Sequence, residues 1–130
     1  MEVIQKLRKL KIYGDSIEEY IAHLINNDFL NEKRFAESYV RGKFNNNDWG
    51  KIRIIRELES RNISQVNIEN ALTEINPEDY LKKVRVLFKK IINENNDKPK
   101  EKIKEKIYSR LEYKGWEKEL IYEEINNLIN

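Results

Sequence analysis

The sequence predicts an all-α protein built from tandem three-helix repeats, in three copies of which the last is incomplete, stacked into an elongated, curved body. Three observations support this prediction. The 130 residues contain only four glycines and two prolines. Lysine, glutamate and leucine, which favour helices, are abundant. Apolar residues recur at helical spacing, and the whole pattern repeats with a period of about 50 residues.

The composition excludes several classes of protein. Because the chain has no cysteine, it has no disulfide framework, no thiolate zinc site and no cysteine nucleophile. The first residues lack the apolar run of a signal peptide, and no apolar stretch approaches the roughly 20 residues of a membrane span. The sequence therefore indicates a soluble protein of the cytoplasm that does not contact a membrane.

Seven apolar columns define the repeat, and they align without a gap around Leu7, Leu58 and Leu111. Their spacing is typical of two short amphipathic helices separated by a tight connection. The columns are Val3/Ile54/Ile107, Ile4/Ile55/Tyr108, Leu7/Leu58/Leu111, Ile12/Ile63/Trp116, Ile17/Ile68/Ile121, Ile21/Leu72/Ile125 and Leu24/Ile75/Leu128.

The first copy is expected to contain three helices. Its first helix would end near Gly14, and Ser16 with Glu19 would form a capping box for the second helix. Asn31 would cap the third helix. The polar residues 45–48 would then connect this copy to the next one. The apolar face of the third helix would consist of Phe35, Ala36, Tyr39 and Val40.

Capping residues mark the helices of the second and third copies. Asn62 is expected to end the first helix of the second copy in a left-handed conformation, and Ser64 to cap the next helix. Asn76 followed by Pro77 is typical of the start of a third helix. Gly115 takes the place of Asn62 in the third copy.

These signals place the first repeat at residues 1–44, the second at 48–93 and the incomplete third at 97–130. Helical units of this size cannot bury their apolar faces alone, so we expect them to stack on one another. The chain begins within the first helix of the first copy, with no residue in front to cap it. We therefore expect a segment upstream of residue 1.

The net charge of +2 conceals an alternation along the chain. It is −2 over residues 1–32, +4 over 33–61, −4 over 62–81, +7 over 82–110 and −3 over 111–130. One basic block is commonly a solvated helix face, but two blocks in matching places favour a binding surface. The small total suits a partner that is part protein and part nucleic acid better than it suits DNA alone.

Two segments resemble the central signature of the RecX family, the bacterial regulators of the RecA recombinase. They are Phe-Leu-Asn-Glu-Lys-Arg-Phe-Ala-Glu-Ser-Tyr-Val-Arg at residues 29–41 and Trp-Gly-Lys-Ile-Arg-Ile-Ile-Arg-Glu-Leu at residues 49–58. Residues 111–116, Leu-Glu-Tyr-Lys-Gly-Trp, resemble the third-repeat motif of the family. The resemblance covers essentially the whole chain, although Asp48 stands where many members have the first glycine of a glycine-x-glycine.

The resemblance implies an inhibitor of RecA rather than an enzyme. Members of the family bind along or within the groove of the RecA nucleoprotein filament and reduce its ATPase, strand-exchange and co-protease activities, which restrains recombination and the SOS response. The implied partner is the RecA filament on single-stranded DNA, with weak direct binding to DNA left open. We expect a monomer that uses no cofactor and no metal.

The candidate filament- or DNA-binding residues lie in the two basic blocks. They are Arg34, Arg41, Lys43, Lys51, Arg53, Arg56, Lys82, Arg85 and Lys89. Arg34 and Arg41 avoid the apolar stripe of their helix and should be exposed, while Arg53 and Arg56 are three residues apart and share a face. The planar fork of arginine grips phosphate or carboxylate with two hydrogen bonds.

Simpler interpretations stand beside these candidates. Arg56 could merely pair with Glu57 or Glu59, and a solvated face explains most of the second basic block. Tyr39 and Trp116 occupy apolar positions and are expected to be packing residues, whereas Phe44 and Trp49 flank the polar connection and could contact a partner.

No catalytic, cofactor-binding or metal-binding residues are predicted. His23 is the sole histidine and lies between apolar residues without a partner constellation, so we expect it to be structural or exposed. No glycine-rich phosphate loop and no metal-ligand spacing occurs in the sequence. Carboxylate pairs such as Glu18–Glu19 and Glu123–Glu124 are expected on a solvated face or against a basic partner.

A stand-alone nucleic-acid-binding protein remains an alternative function, because three-helix units often present a helix to a groove of DNA. That alternative predicts tight binding to DNA alone with a steep dependence on salt. A filament regulator should instead bind DNA weakly and the filament well.

Overall fold

The computed structural model describes the backbone of residues 15–128 and the side chains of residues 18–128. This part of the chain forms six α-helices and contains no strand. The predicted all-α class is therefore confirmed, whereas the number of repeats and their boundaries stay predictions. The helices are α1 Asp15–Asn47, α2 Lys51–Ser60, α3 Gln65–Leu72, α4 Pro77–Glu94, α5 Lys100–Tyr113 and α6 Lys118–Leu128.

Helix α1 is one continuous helix of 33 residues, and the predicted cap at Asn31 is wrong. No glycine or proline occurs between Ser16 and Arg41, and an asparagine inside a helix costs under about 1 kcal/mol relative to alanine. The backbone therefore continues through Asn31. The predicted connection at residues 45–48 is also wrong in its bounds. Because α1 runs to Asn47, the connection between α1 and α2 consists of Asp48–Gly50.

The predicted caps of the later helices are confirmed. The Ser64 side chain accepts a hydrogen bond from the Asn67 backbone N–H at 3.3 Å and caps α3. Asn76 accepts from the Glu78 N–H at 2.7 Å, and Pro77 is the first residue of α4. Gly14 and the Ser16 side chain lie outside the described part of the chain, so the predicted helix end at Gly14 and the Ser16–Glu19 capping box stay predictions.

The two predicted left-handed residues have the expected conformation. Asn62 has φ 59° after α2, and Gly115 has φ 92° after α5. Of these two positions, only residue 115 requires a glycine, because a Cβ on Gly115 would overlap the Cβ and the backbone nitrogen of Arg53. The difference arises because α2 packs directly against the turn that contains Gly115.

The helices pack in two groups. In the first helix group, α1 packs against α2 and α3, and α2 packs against α3. In the second helix group, α5 packs against α4 and α6. These are groups by contact, and they do not decide where the sequence repeats begin.

The core follows the predicted apolar columns. Four column residues of the second copy and five of the third are buried in one hydrophobic cluster, and four more are partly buried against it. Leu128 is 41% exposed and departs from the pattern. The first-copy columns from residue 3 to 17 lie outside the described side chains. The buried column residues are Ile54, Leu58, Ile68, Ile75, Ile107, Leu111, Trp116, Ile121 and Ile125.

The predicted apolar face of residues 35–40 is confirmed at three of its four positions. Ala36 and Val40 are fully buried and Tyr39 is partly buried, as expected. Phe35 is exposed instead of buried, and its ring stacks on Tyr39 with the centroids 5.7 Å apart. Phe44 continues the buried face one turn after Val40.

Tyr80 joins the two helix groups. Its ring stacks on Trp116 with centroids 4.4 Å apart and on Phe44 at 5.9 Å. Its hydroxyl accepts a hydrogen bond from the Lys51 backbone N–H at 2.9 Å and donates one to the Glu117 carboxylate. Burial, reinforced by Glu117, raises the pKa of Tyr80 above its ordinary value.

A backbone contact between two glycines completes this junction. The Gly50 N–H donates to the Lys114 carbonyl at 2.9 Å, and the Ile52 N–H donates to the Gly115 carbonyl at 3.0 Å. A Cβ on Gly50 would lie 2.5 Å from the Gly115 carbonyl oxygen, so this approach requires glycine. The start of α2 is thereby fixed against the turn between α5 and α6.

None of the helices found between residues 15 and 128 combines the length and the apolar content that a bilayer crossing requires.

Candidate functional site

Cations and aromatic rings alternate on a surface formed by α1, α2 and α5. The Lys43 Nζ lies 4.8 Å from the centroid of the Trp49 ring and 5.4 Å from that of Tyr39. The guanidinium carbon of Arg53 lies 4.2 Å from the Trp49 centroid and 5.0 Å from the Tyr113 centroid. Arg53 is therefore held between two rings that come from different helix groups.

Two more arginines extend this surface. The guanidinium carbon of Arg61 lies 4.8 Å from the Tyr39 centroid. Arg56 lines a cleft together with Arg53 and Tyr113. Cation–π contacts of this kind are worth about 0.5–1 kcal/mol each at exposed sites. We call the set of Lys43, Arg53, Arg56, Arg61, Tyr39, Trp49 and Tyr113 the basic–aromatic strip.

The connection between α1 and α2 places Trp49 within the basic–aromatic strip. Asp48 has φ 59°, the left-handed conformation that glycine adopts most readily. The Trp49 N–H then donates to the Lys43 carbonyl at 3.1 Å. The Trp116 indole N–H donates to the Asp48 carbonyl at 3.0 Å, so the second helix group holds the connection in place.

We call the opening between α2 and α5 the strip cleft. Its volume is about 480 Å³, and it is lined by Arg53, Arg56, Glu57, Ser109, Glu112 and Tyr113. Arg53 donates to the Tyr113 carbonyl at 3.3 Å across this cleft. The predicted common face of Arg53 and Arg56 is confirmed by their position along one wall.

The expected pairing of Arg56 with Glu57 or Glu59 is not found. Glu57 accepts from Arg61 instead, at 3.1 Å. Arg56 is exposed and forms no ion pair with any residue from 18 to 128. Its charge is available to a partner.

Three of the predicted site residues are engaged within the chain. Arg41 pairs with Glu74 at 2.9 Å and links α1 to the end of α3. The Lys51 Nζ lies 4.7 Å from the centroid of the Tyr80 ring. These contacts position helices, so binding by either side chain would compete with the fold.

Arg85 is the third engaged residue. Its Nε and Nη2 donate to the two carboxylate oxygens of Glu124 at 3.1 and 3.2 Å, and this ion pair raises the pKa of Arg85. Glu124 is only 3% exposed at its side chain. Each carboxylate of the Glu123–Glu124 pair therefore meets one of the two expected alternatives, because Glu123 is exposed and Glu124 has a basic partner within this chain.

Arg34, Lys82 and Lys89 are exposed, and no contact among the described residues joins them to the basic–aromatic strip. Lys82 lines a second cleft of about 500 Å³ beside Lys83 and Lys90. Of the nine predicted residues, the structure thus brings Lys43, Arg53 and Arg56 into the basic–aromatic strip.

The aromatic predictions have mixed outcomes. Trp116 is buried and Tyr39 is partly buried, and both pack as expected. Phe44 is 7% exposed and stacks in the core, so the suggested contact with a partner is wrong for this residue. Trp49 is half-buried and lies within the basic–aromatic strip.

Sequence reasoning missed Arg61 and Tyr113. Tyr113 is 74% exposed although it is a large aromatic residue. It stands two positions after the buried Leu111, on the outer face of an amphipathic helix, and this mismatch between residue type and face could have identified it. Arg61 follows the last residue of α2 and lies within the first basic block.

No catalytic constellation is present among the described residues. His23 is exposed and its Nε2 lies 3.2 Å from the Asn27 side-chain amide. Between residues 18 and 128, no group of histidine and carboxylate side chains is arranged to hold a metal ion. The arrangement that stands out is the basic–aromatic strip.

Comparisons with known proteins agree with one another. A family model described as "RecX, second three-helix domain" matches residues 31–72. The regulatory protein RecX of Streptococcus agalactiae serotype V is 29% identical over 128 residues, which are 98% of this chain and 48% of that protein. The regulatory protein RecX of Clostridioides difficile is 30% identical over 114 residues, which are 88% of this chain and 54% of that protein. The chain thus spans about half the length of these curated relatives.

Solved structures match over nearly the whole chain. The crystal structure of RecX from Lactobacillus salivarius is 34% identical, has a TM-score of 0.70, and is matched over 98% of this chain and 82% of that one. A second crystal structure, of a regulatory protein RecX, is 24% identical and has a TM-score of 0.66. The match covers 97% of this chain and 63% of that one, and it supports the fold alone.

Proposed function

The chain belongs to the RecX family, and from this membership we propose that it binds the RecA nucleoprotein filament on single-stranded DNA and inhibits it. Inhibition would reduce ATP hydrolysis, strand exchange and co-protease activity, and would thereby restrain recombination and the SOS response. The chain would act in the cytoplasm as a monomeric binding protein and not as an enzyme.

The basic–aromatic strip is the observation that supports this proposal most strongly. A RecA filament presents both acidic protein surface and DNA phosphates, and arginine side chains bind carboxylate and phosphate with the same two-pronged geometry. Lys43, Arg53 and Arg61 contact the rings of the strip, and Arg56 lines the strip cleft with Tyr113. Within residues 18–128, the only ion pair that these four cations form joins Arg61 to Glu57. Complementary charge would speed encounter and fix the register of the complex.

The way in which the rings hold the cations favours binding. Arg53 lies between Trp49 and Tyr113, so its guanidinium loses little freedom when a partner arrives. Ordering one long side chain on binding costs about 0.5–1.5 kcal/mol. A side chain that is already ordered in the free protein avoids this cost. The strip is therefore preorganised for a charged surface.

Inhibition would follow from the rigidity of the two helix groups. The basic–aromatic strip crosses from α2 to α5, and Tyr80 and the Gly50–Gly115 contact hold these helices together. A rigid body that bridges neighbouring RecA subunits through such a surface would restrain their movement relative to one another.

A titration of the purified chain into RecA on single-stranded DNA tests this function. ATP hydrolysis should fall steadily at ratios well below one chain per nucleotide. Hydrolysis that stays constant up to one chain per nucleotide would contradict the proposal.

Direct binding to nucleic acid is the second candidate function, and the exposed Tyr113 ring beside Arg56 favours it. As a stand-alone function it predicts tight binding to DNA without RecA, with an affinity that falls steeply as salt rises. A filament regulator should bind the filament more tightly than DNA alone at every salt concentration.

A further inference from the structure

The strip cleft combines an exposed aromatic ring with an unneutralised arginine. Tyr113 projects from α5 with 74% of its surface exposed. One face of its ring meets the guanidinium of Arg53, 5.0 Å from the centroid, so the exposed area lies largely on the opposite face and the edges. Arg56 lines the same cleft and forms no ion pair with any described residue.

The carboxylates at the cleft are already engaged. Glu57 is bound by Arg61 at 3.1 Å. Glu112 interacts with the Tyr108 hydroxyl, and burial together with this carboxylate raises the pKa of Tyr108 to about 12. The remaining polar side-chain groups that line the cleft are the Arg53 and Arg56 guanidinium groups and the Ser109 and Tyr113 hydroxyls, each of which can donate a hydrogen bond.

We propose that the strip cleft binds one nucleotide of single-stranded DNA, with the unpaired base stacked on the free face of Tyr113 and its phosphate bound by Arg56 and Ser109. Arg53 is a positioning residue, because its guanidinium is fixed between Trp49 and Tyr113 and orients the Tyr113 ring. The inference rests on the proposed function, since it assigns to one site the contact with the DNA of the filament.

The chemistry favours single-stranded DNA over duplex DNA and over an acidic peptide. A base stacked in a duplex offers no free face to Tyr113, whereas an unpaired base does, and stacking on an aromatic ring is tolerant of sequence. An acidic peptide would use Arg56 but would gain nothing from an open ring. The volume of about 480 Å³ is within the range of sites for small molecules and suits one nucleotide.

Fluorescence anisotropy with a 5′-fluorescein-labelled oligo(dT) of 15 nucleotides, at several potassium chloride concentrations, tests this site. The variants are Tyr113→Ala, Tyr113→Phe and Arg56→Gln. Lys100→Gln is the matched control, because Lys100 is exposed on the same helix, lies outside the strip cleft and has no ion pair among the described residues. The helix content of each variant is checked by circular dichroism.

The two contacts have different signatures. Tyr113→Ala should weaken oligonucleotide binding at least about fivefold without changing the slope of log affinity against log salt. Tyr113→Phe should bind the oligonucleotide as tightly as the original chain, because stacking needs the ring alone. Arg56→Gln should lower the slope of log affinity against log salt by about 0.7, which corresponds to one phosphate contact on a single strand. Lys100→Gln should stay within about twofold of the original chain.

Three results would overturn the site. The first is that the original chain does not bind the oligonucleotide. The second is a Tyr113→Ala variant whose affinity is within twofold of that of the original chain, and the third is a loss of affinity that is equally large for the duplex form of the oligonucleotide.

RecA ATPase measured with the same variants separates the two proposals. If the variants lose inhibition but keep oligonucleotide affinity, the strip cleft contacts protein and only the nucleotide site fails. If oligonucleotide binding behaves as proposed but the original chain does not inhibit RecA, the nucleotide site stands and the filament function fails.

Discussion

Tyr80 and Trp116 stack with their ring centroids 4.4 Å apart, at the point where the two helix groups meet. The same tyrosine accepts a hydrogen bond from the Lys51 N–H and donates one to Glu117. One side chain on α4 is therefore bonded both to the start of α2 and to the residue that precedes α6. Because α2 and α5 form the walls of the strip cleft, this junction also fixes the geometry of the candidate site.

Replacing Tyr80 by phenylalanine should destabilise the chain while preserving the stack on Trp116. The variant loses the hydroxyl and leaves the Lys51 N–H and the Glu117 carboxylate without this partner. An unsatisfied group in a partly buried site costs about 1–3 kcal/mol. Urea denaturation measures the loss directly.

Tyr20→Phe is the control for the Tyr80 variant, because Tyr20 is exposed on α1 and has no hydrogen bond within the described part of the chain. Its unfolding free energy should stay close to that of the original chain. Equal stabilities of the two phenylalanine variants would mean that the Tyr80 hydroxyl does not support the junction.

Alanine substitutions at Gly115 and Asn62 should differ in their cost. Both residues have positive φ, so alanine is strained by about 1–2 kcal/mol at either position. Only the new Cβ at residue 115 would also overlap Arg53, since Asn62 already carries a Cβ. Overpacking adds about 1–3 kcal/mol, so Gly115→Ala should be the more destabilising variant by at least about 1 kcal/mol.

Thermal unfolding followed by circular dichroism compares these two variants under one set of conditions. Asn62→Gly should leave stability nearly unchanged, because glycine adopts the same φ without strain. A Gly115→Ala variant as stable as Asn62→Ala would show that the turn after α5 does not press against α2.

These outcomes show which parts of the fold a local sequence pattern can predict. The caps at Ser64 and Asn76 and the left-handed residues Asn62 and Gly115 depend on neighbours within a few residues, and they were predicted correctly. The predicted cap at Asn31 is wrong. The local sequence there is compatible both with the start of a new helix and with the continuation of α1, and the packing of α1 against α3 favours continuation.

The candidate site was predicted only in part, for a similar reason. Arg53 and Arg56 could be placed on one face from their spacing. Their partner Tyr113 is 60 residues away from Arg53, and the packing of α2 against the turn after α5 brings the two together. The ion pair of Arg85 with Glu124 spans 39 residues. Pairings of this kind depend on the fold and leave no local signature.

Acid should weaken the link between α1 and α3 through Glu32. The Ser64 backbone N–H donates to the Glu32 carboxylate at 2.6 Å and, with the Asn67 side chain at 3.1 Å, holds the pKa of Glu32 below its ordinary value. A lowered folded-state pKa stabilises the fold above the unfolded-state pKa of about 4.3. That stabilisation is lost as the pH falls through the folded-state pKa.

Urea denaturation of Glu32→Gln measures this contribution. The original chain should be more stable than the variant at pH 7, and the difference should shrink as the pH falls below about 4.3. Glu59→Gln is the control, because Glu59 is exposed and its side chain has no partner among residues 18–128. A Glu32→Gln difference that does not change with pH would contradict the assigned role of the carboxylate.

The RecA ATPase titration, run with Arg56→Glu beside the original chain, tests the proposed function and the basic–aromatic strip together. Lys100→Glu is the control, because it also reverses one exposed charge. Of the two substituted residues, only Arg56 lies in the strip cleft. The original chain and Lys100→Glu should inhibit ATP hydrolysis at ratios well below one chain per nucleotide, whereas Arg56→Glu should need a ratio several-fold higher. Failure of the original chain to inhibit, or equal inhibition by the two variants, would contradict the proposal that this surface binds the RecA filament.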